Sequence, residues 1–106
     1  MDDYIYKQID FDNPSLAFIL EDSLKNIIGG FLLYKPYYKT FGLKGSENVL
    51  DFGCGGGTGS KVLIKFLSKG GYLTAIDVSN FWISKASKRL MKYPNVRCIQ
   101  GDIRDL

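Results

Sequence analysis

The sequence predicts an α/β protein: a doubly wound parallel sheet, incomplete at about three strands with flanking helices, preceded by a helical N-terminal segment. Three observations carry this. Between residues 48 and 102, apolar runs of strand length alternate with segments of helical period in the order strand, helix, strand, helix, strand. That order demands parallel pairing through right-handed crossovers. Each run carries an acid at or near its end, Asp51, Asp77 and Asp102, and the first passes straight into a glycine-rich turn, Val49 to Ser60 reading VLDFGCGGGTGS.

From the amino end, Asn13-Pro14-Ser15 reads as a helix start, with Asn13 as N-cap and Pro14 at the first helical position, where its missing N–H costs nothing. Leu16, Ile19, Leu20, Leu24, Ile27 and Ile28 then recur at helical spacing, and Gly29-Gly30 ends the run through a left-handed residue. Phe31 to Phe41 is aromatic and holds Pro36, which predicts a short second helix with an irregular start. Gly42 to Asn48 is turn-rich. The first strand is Asn48 to Phe52, and Thr58 to Ser68 forms the helix after the glycine turn, broken by Lys69-Gly70-Gly71. Tyr72 to Asp77 is the second strand. Ser79 caps a helix reaching about Tyr93, which Pro94-Asn95 terminates. Val96 to Gln100 is the third strand, ending at Gly101-Asp102. The chain thus divides into a helical cap segment, residues 1–45, and a sheet-forming unit, residues 46–106.

Composition bounds the function. The chain of 106 residues is one small domain, and its net charge of +3 is too mild to indicate nucleic acid or an anionic membrane as partner. Two cysteines, Cys54 and Cys98, make no secreted disulfide framework, no apolar h-region follows the acidic start Met1-Asp2-Asp3, and the expected compartment is the cytoplasm. No apolar stretch approaches the roughly 20 residues needed to span a bilayer. With two cysteines and no histidine, no metal site is expected.

The carboxyl ends of parallel strands lie at one edge, where ligands bind in doubly wound sheets. Asp51, Asp77 and Asp102 therefore face one ligand, and acids there suit hydroxyls and amines rather than phosphates. Gly53 to Gly59 contains no basic residue, unlike a phosphate-cradling loop with its lysine. Gly53, Gly55 and Gly57 stand at alternate positions and let the backbone approach a ligand. A dinucleotide fingerprint, G-x-G-x-x-G, puts its third glycine on Thr58 when started at Gly53 and on Ser60 when started at Gly55. Both registers are imperfect. Asp77, about 20 residues on, suits any ribose-bearing cofactor and does not discriminate.

The run DFGCGGGTG after an apolar strand resembles the first motif of class I S-adenosylmethionine-dependent methyltransferases, a Rossmann-like family. Leu73 to Ser79, LTAIDVS, and Val96 to Asp102, VRCIQGD, resemble its second- and third-strand motifs in order and spacing. The resemblance covers Val49 to Leu106 and implies S-adenosylmethionine as cofactor. It implies that Gly53 and Gly55 pass beneath the methionine portion, that Asp51 orients the amino group, and that Asp77 holds the ribose hydroxyls. Val78 would pack on the adenine, and Asp102 would accept from the exocyclic amine with the Ile103 backbone close by. The family continues into a fourth strand that pairs with the first and contributes to the acceptor site, whereas only Ile103 to Leu106 follow Asp102 here. The strand Asn48 to Phe52 is thus expected to form an apolar edge covered by a second copy, a partner chain, further residues of a longer enzyme, or residues before Val49.

Three functions follow: the cofactor-binding part of a methyltransferase; a non-catalytic binding module that completes its sheet by pairing; and an NAD(P)-dependent oxidoreductase domain. No catalytic residue is identified. The methyl acceptor is open, with the aromatic cap slightly favouring a small molecule. Cys54 reads as packing, because no histidine exists to activate it. Lys85, Lys88, Arg89 and Lys92 read as a solvated helix face, with RNA or an acidic partner as the competing reading. Tyr34, Tyr37 and Tyr38 line either a substrate mouth or a packed rim.

Overall fold

A computed structural model of the chain describes residues 13–24, 26, 28, 32 and 34–105. Strands β1 (Asn48–Phe52), β2 (Tyr72–Asp77) and β3 (Val96–Gln100) form one sheet in the order β1-β2-β3, each pair parallel. The strand bounds are those read from the sequence. Register sets Val49 beside Leu73, Asp51 beside Ala75, and Asp77 beside Gln100. The incomplete Rossmann-like sheet is therefore present, with β1 and β3 at its edges.

Helix α1 (Leu16–Leu24) and the short α2 (Lys35–Lys39) precede the sheet, while α3 (Thr58–Leu63) and α4 (Asn80–Leu90) are the two crossovers. Ser15, not Asn13, caps α1: its hydroxyl accepts from the Phe18 N–H and its carbonyl from the Ile19 N–H. Pro14 is left in the lead-in, because the Ser15 hydroxyl, one residue nearer the first turn, takes the Phe18 N–H. Residues 25, 27, 29–31 and 33 lie outside the described residues, and with them the expected Gly29-Gly30 stop. Pro36 sits in the first turn of α2, where the helix tolerates it. α3 is shorter than expected; its last turn tightens into a 3-10 turn, Ile64–Phe66, which passes a bond from the Leu67 N–H to the Ile64 carbonyl. Ser79 caps α4 by accepting from the Trp82 N–H, and the helix closes before Tyr93, whose N–H returns to the Leu90 carbonyl.

Both crossovers lie on one face of the sheet. Leu63, Ile64, Leu67, Leu73, Ile83, Ala86 and Leu90 form the buried core there, with Val49, Val96 and Cys98 packed against it. The other face, carrying Leu50, Tyr72, Thr74, Arg97 and Ile99, opens as a shallow depression with no helix of the described residues over it. Leu50 is 44% exposed and Phe52 62%. Parallel sheets are ordinarily covered on both faces, so this is half of a three-layer arrangement.

Loop contacts hold the sheet's amino-terminal end. The Lys44 and Gly45 N–H groups donate to the two carboxylate oxygens of Glu47, which hold its carboxyl below the usual range. The Gly45 carbonyl in turn accepts from Lys69 and Gly71, and the Asn95 amide donates to the Leu67 and Gly71 carbonyls. At the other end, Gly57 starts α3 with a left-handed backbone, φ 81°, and a Cβ there would lie 2.9 Å from that of Ala86. This close approach is what seats α3 on α4. Gly57→Ala combines the strained backbone with that clash; we expect a lower urea midpoint, with a loss of about 1–3 kcal/mol.

Candidate functional site

The hydrogen-bond ladder runs on past the strand ends. The Gly53 and Cys54 N–H groups both donate to the Ile76 carbonyl, at 2.7 and 3.2 Å, and the Gly101 N–H donates to the Asp77 carbonyl at 3.0 Å. The three carboxyl ends therefore form one continuous edge. At its centre, Asp77 Oδ2 accepts from the Gly55 N–H at 2.8 Å and Oδ1 from the Ser79 N–H at 2.9 Å. One carboxylate thus fixes both the glycine turn and the start of α4.

The turn itself presents bare backbone. Gly53 and Gly55 take φ of 71° and 56°, and a Cβ on either would meet nothing within 4 Å. That side is open. The N–H donors are not: those of Gly53, Cys54, Gly55 and Gly57 are all bonded within the protein, the last to the Cys54 carbonyl. A phosphate cradle needs several donors aimed outward, and these four are not available for one.

Asp51 and Asp102 occupy different environments. Asp51 Oδ2 accepts from the Ser60 hydroxyl at 2.6 Å, and burial pushes its carboxyl above the usual range, the Ser60 bond opposing and the Asp77 charge adding. Tyr38 of α2 is pushed up to about 12, by burial first and then by the Asp51 charge. Its hydroxyl would lie 3.0 Å from a Cβ at Gly59, so α2 reaches the start of α3. Asp102 is bound by Arg104 through Nε, Nη2 and the backbone N–H, which hold its carboxyl down at about 2. Val78 is 53% exposed, and its carbonyl accepts from the Gln100 side chain. Ile103 opens the 3-10 turn Ile103–Asp105 beside Asp102; its side chain lies outside the described residues. The edge thus carries Asp51, Gly53, Gly55, Asp77, Val78 and Asp102 on the ends of its strands.

A family model for the methyltransferase domain matches residues 49–106, over half of the chain. The chain belongs to that family. A SAM-dependent methyltransferase from Aquifex aeolicus, known as a crystal structure, is similar over 96% of this chain and 48% of its own, with 26% identity and a TM-score of 0.61. The uncharacterized 37.1 kDa protein in transposon TN4556 of Streptomyces fradiae is 38% identical over 60 residues, which are 57% of this chain and 17% of that protein. This methyltransferase domain therefore spans about half the length of the solved relative.

Several partners in the domain were invisible to motif reading. Ser60, fully buried, anchors Asp51 from nine residues away; a polar residue on the inward side of α3 was its only signal. The expected basic stripe divides. Lys88 and Lys92 are exposed, as a solvated face requires, but Arg89 and Lys85 turn inward to Asp22 of α1. Cys54 is half-buried, with its thiol pushed up to about 12 by burial, and both cysteines are free. Among the described residues no three His, Cys, Asp or Glu side chains gather as a metal site, and no helix is long and apolar enough to cross a membrane.

A carboxyl whose folded-state pKa is raised destabilises the fold above that pKa, and the cost disappears as pH falls to the unfolded value of about 3.9. Asp51→Asn keeps an acceptor for Ser60 and removes the charge. We expect it to raise the urea midpoint at about pH 7.5 and to lose that advantage by about pH 4.

Proposed function

We propose that this methyltransferase domain binds S-adenosylmethionine and forms the donor-binding part of a methyltransferase. The observation that carries the reading is the Asp77 carboxylate, set at the middle of the strand edge beside a glycine turn that is open on one side and whose Gly53, Cys54, Gly55 and Gly57 N–H groups are bonded within the protein. Each carboxylate oxygen accepts one backbone bond and keeps further acceptor capacity, which suits the two hydroxyls of a ribose. The open backbone at Gly53 and Gly55 suits the methionine portion, and the Asp51 acceptor its amino group. The exposed Val78 side chain offers an apolar surface to adenine, and Asp102, oriented by Arg104 and backed by Ile103, offers an acceptor for its amine. The donor set therefore fits the cofactor. A nicotinamide dinucleotide fits less well, because no N–H of Gly53, Cys54, Gly55 or Gly57 remains for a pyrophosphate.

The bound cofactor supplies a methyl group already activated on a sulfonium. What remains for the protein is to align the acceptor, exclude water and hold the donor still, tasks that ask for no histidine. Residues 1–45 serve as the cap. The ring cluster of Tyr34, Tyr37, Tyr38 and Phe41, with centroids 5.1–6.3 Å apart, supports a small, partly apolar acceptor. The divided basic stripe supports no nucleic-acid surface. Two free cysteines suit a reducing cytoplasm. The β1 edge and the bare sheet face support completion of the sheet by further polypeptide, from a second copy or a partner chain. A non-catalytic module that pairs through that face is the second reading, favoured by the exposure of Leu50 and Phe52.

Two measurements test this. Calorimetry with S-adenosylhomocysteine is expected to show one site, with Asp77→Ala weakening it at least about tenfold and NADP giving no thermal shift; at about 100 times its Kd the ligand stabilises by about 2.7 kcal/mol. Absence of binding would remove the methyltransferase reading. Sedimentation over a range of concentrations is expected to show association that Leu50→Lys together with Phe52→Lys abolishes. A monomer at every concentration would exclude a second copy as the cover.

A further inference from the structure

Gly56 lies in the glycine turn but not on its open side, and Arg89 ends α4 by turning away from solvent. The two facts have one cause. Arg89 Nη1 donates to the Gly56 carbonyl at 2.9 Å while Nη2 donates to Asp22 Oδ2 at 2.9 Å. The Arg89 and Asp22 side chains are only 16% and 15% exposed, and Lys85 Nζ stands 3.5 Å from the same Asp22 oxygen. A Cβ on Gly56 would fall 2.7 Å from both Arg89 Nη1 and Asp22 Oδ1. Any side chain at Gly56 would therefore push the bridge apart.

A guanidinium is a rigid planar fork, and charge-assisted bonds in that geometry fix both acceptors relative to each other. Here one acceptor belongs to α1 and the other to the turn. α1 has no fully buried residue, so packing alone holds it weakly and the Asp22 bond matters more to its seat. The other tether, Gly56, is flanked by Gly55, held by Asp77, and by Gly57, which starts α3. Movement of α1 is transmitted to the peptide between these two fixed points.

We infer that Arg89 is a positioning residue that couples the docking of α1 to the donor-binding shape of the glycine turn. The inference rests on the donor-binding reading above and adds a reciprocal consequence: whatever binding does to seat α1, seating α1 does equally for binding. α1 thereby works as part of the cap through a polar tether rather than through apolar contact.

The test uses the full chain and two readouts, the Kd for S-adenosylhomocysteine and hydrogen exchange over residues 16–24 with and without that ligand. In the wild type the ligand is expected to slow exchange over 16–24. Arg89→Met, which keeps the stem and loses the fork, is expected to weaken binding about tenfold and to abolish that protection even at saturating ligand. Arg89→Lys retains a charge for Asp22 but not the second arm, and recovers only part of the affinity. If Arg89→Met fails to fold, Asp22→Asn carries the same expectation from the α1 side. Binding by the wild type together with unchanged Kd and unchanged protection in these variants overturns the coupling alone. No binding by the wild type overturns the donor reading and the coupling with it.

Discussion

The functional edge depends on one carboxylate. Asp77 closes β2, and by accepting from the Gly55 and Ser79 N–H groups it joins the turn after β1 to the helix after β2. Backbone donors held by an ionised acceptor are among the stronger polar contacts a protein makes, and these two bind segments that are distant in the chain. They shape the glycine turn together with the Gly53 and Cys54 bonds to the Ile76 carbonyl and the Arg89 bond to the Gly56 carbonyl. With them it is preformed, so little ordering cost remains when a ligand arrives.

The same architecture that builds the edge leaves the sheet one-sided. Because β1, β2 and β3 follow each other in space as in sequence, both crossovers fall on one face and the core forms there alone. The bare face carries Leu50 on β1, Tyr72 and Thr74 on β2, and Arg97 and Ile99 on β3, a largely apolar surface of the kind a further layer covers in parallel sheets. The chain is similar to about half the length of the Aquifex aeolicus structure.

The strands, their order and the acids at their ends were legible in the sequence because each depends on local pattern: apolar runs of strand length, closed by an acid and glycine. Helix ends were less so. Ser15 displaced Asn13 as the cap, and α3 tightened at Ile64, because competing local bonds settle those positions within a residue or two. Least legible were contacts between segments far apart. The bond from Arg89 to Asp22 spans 67 residues, and charges spaced along a helix carry no mark of a partner on another helix. Ser60 and Gly56 were hidden for the same reason, each looking like an ordinary small residue beside a glycine.

Cys54 gives the turn a chemical property that its geometry does not reveal. The thiolate, not the thiol, is the nucleophile that attacks peroxides and disulfides, and burial first, with the Asp51 and Asp77 charges adding, pushes the Cys54 thiol up to about 12. Burial, with the neighbouring acids adding to it, favours the protonated thiol over the thiolate. The Cys54 side chain packs against the core, so an oxidised or glutathionylated sulfur there would have to displace its neighbours. The packing that seats the glycine turn thus also lowers the reactivity of the sulfur within it.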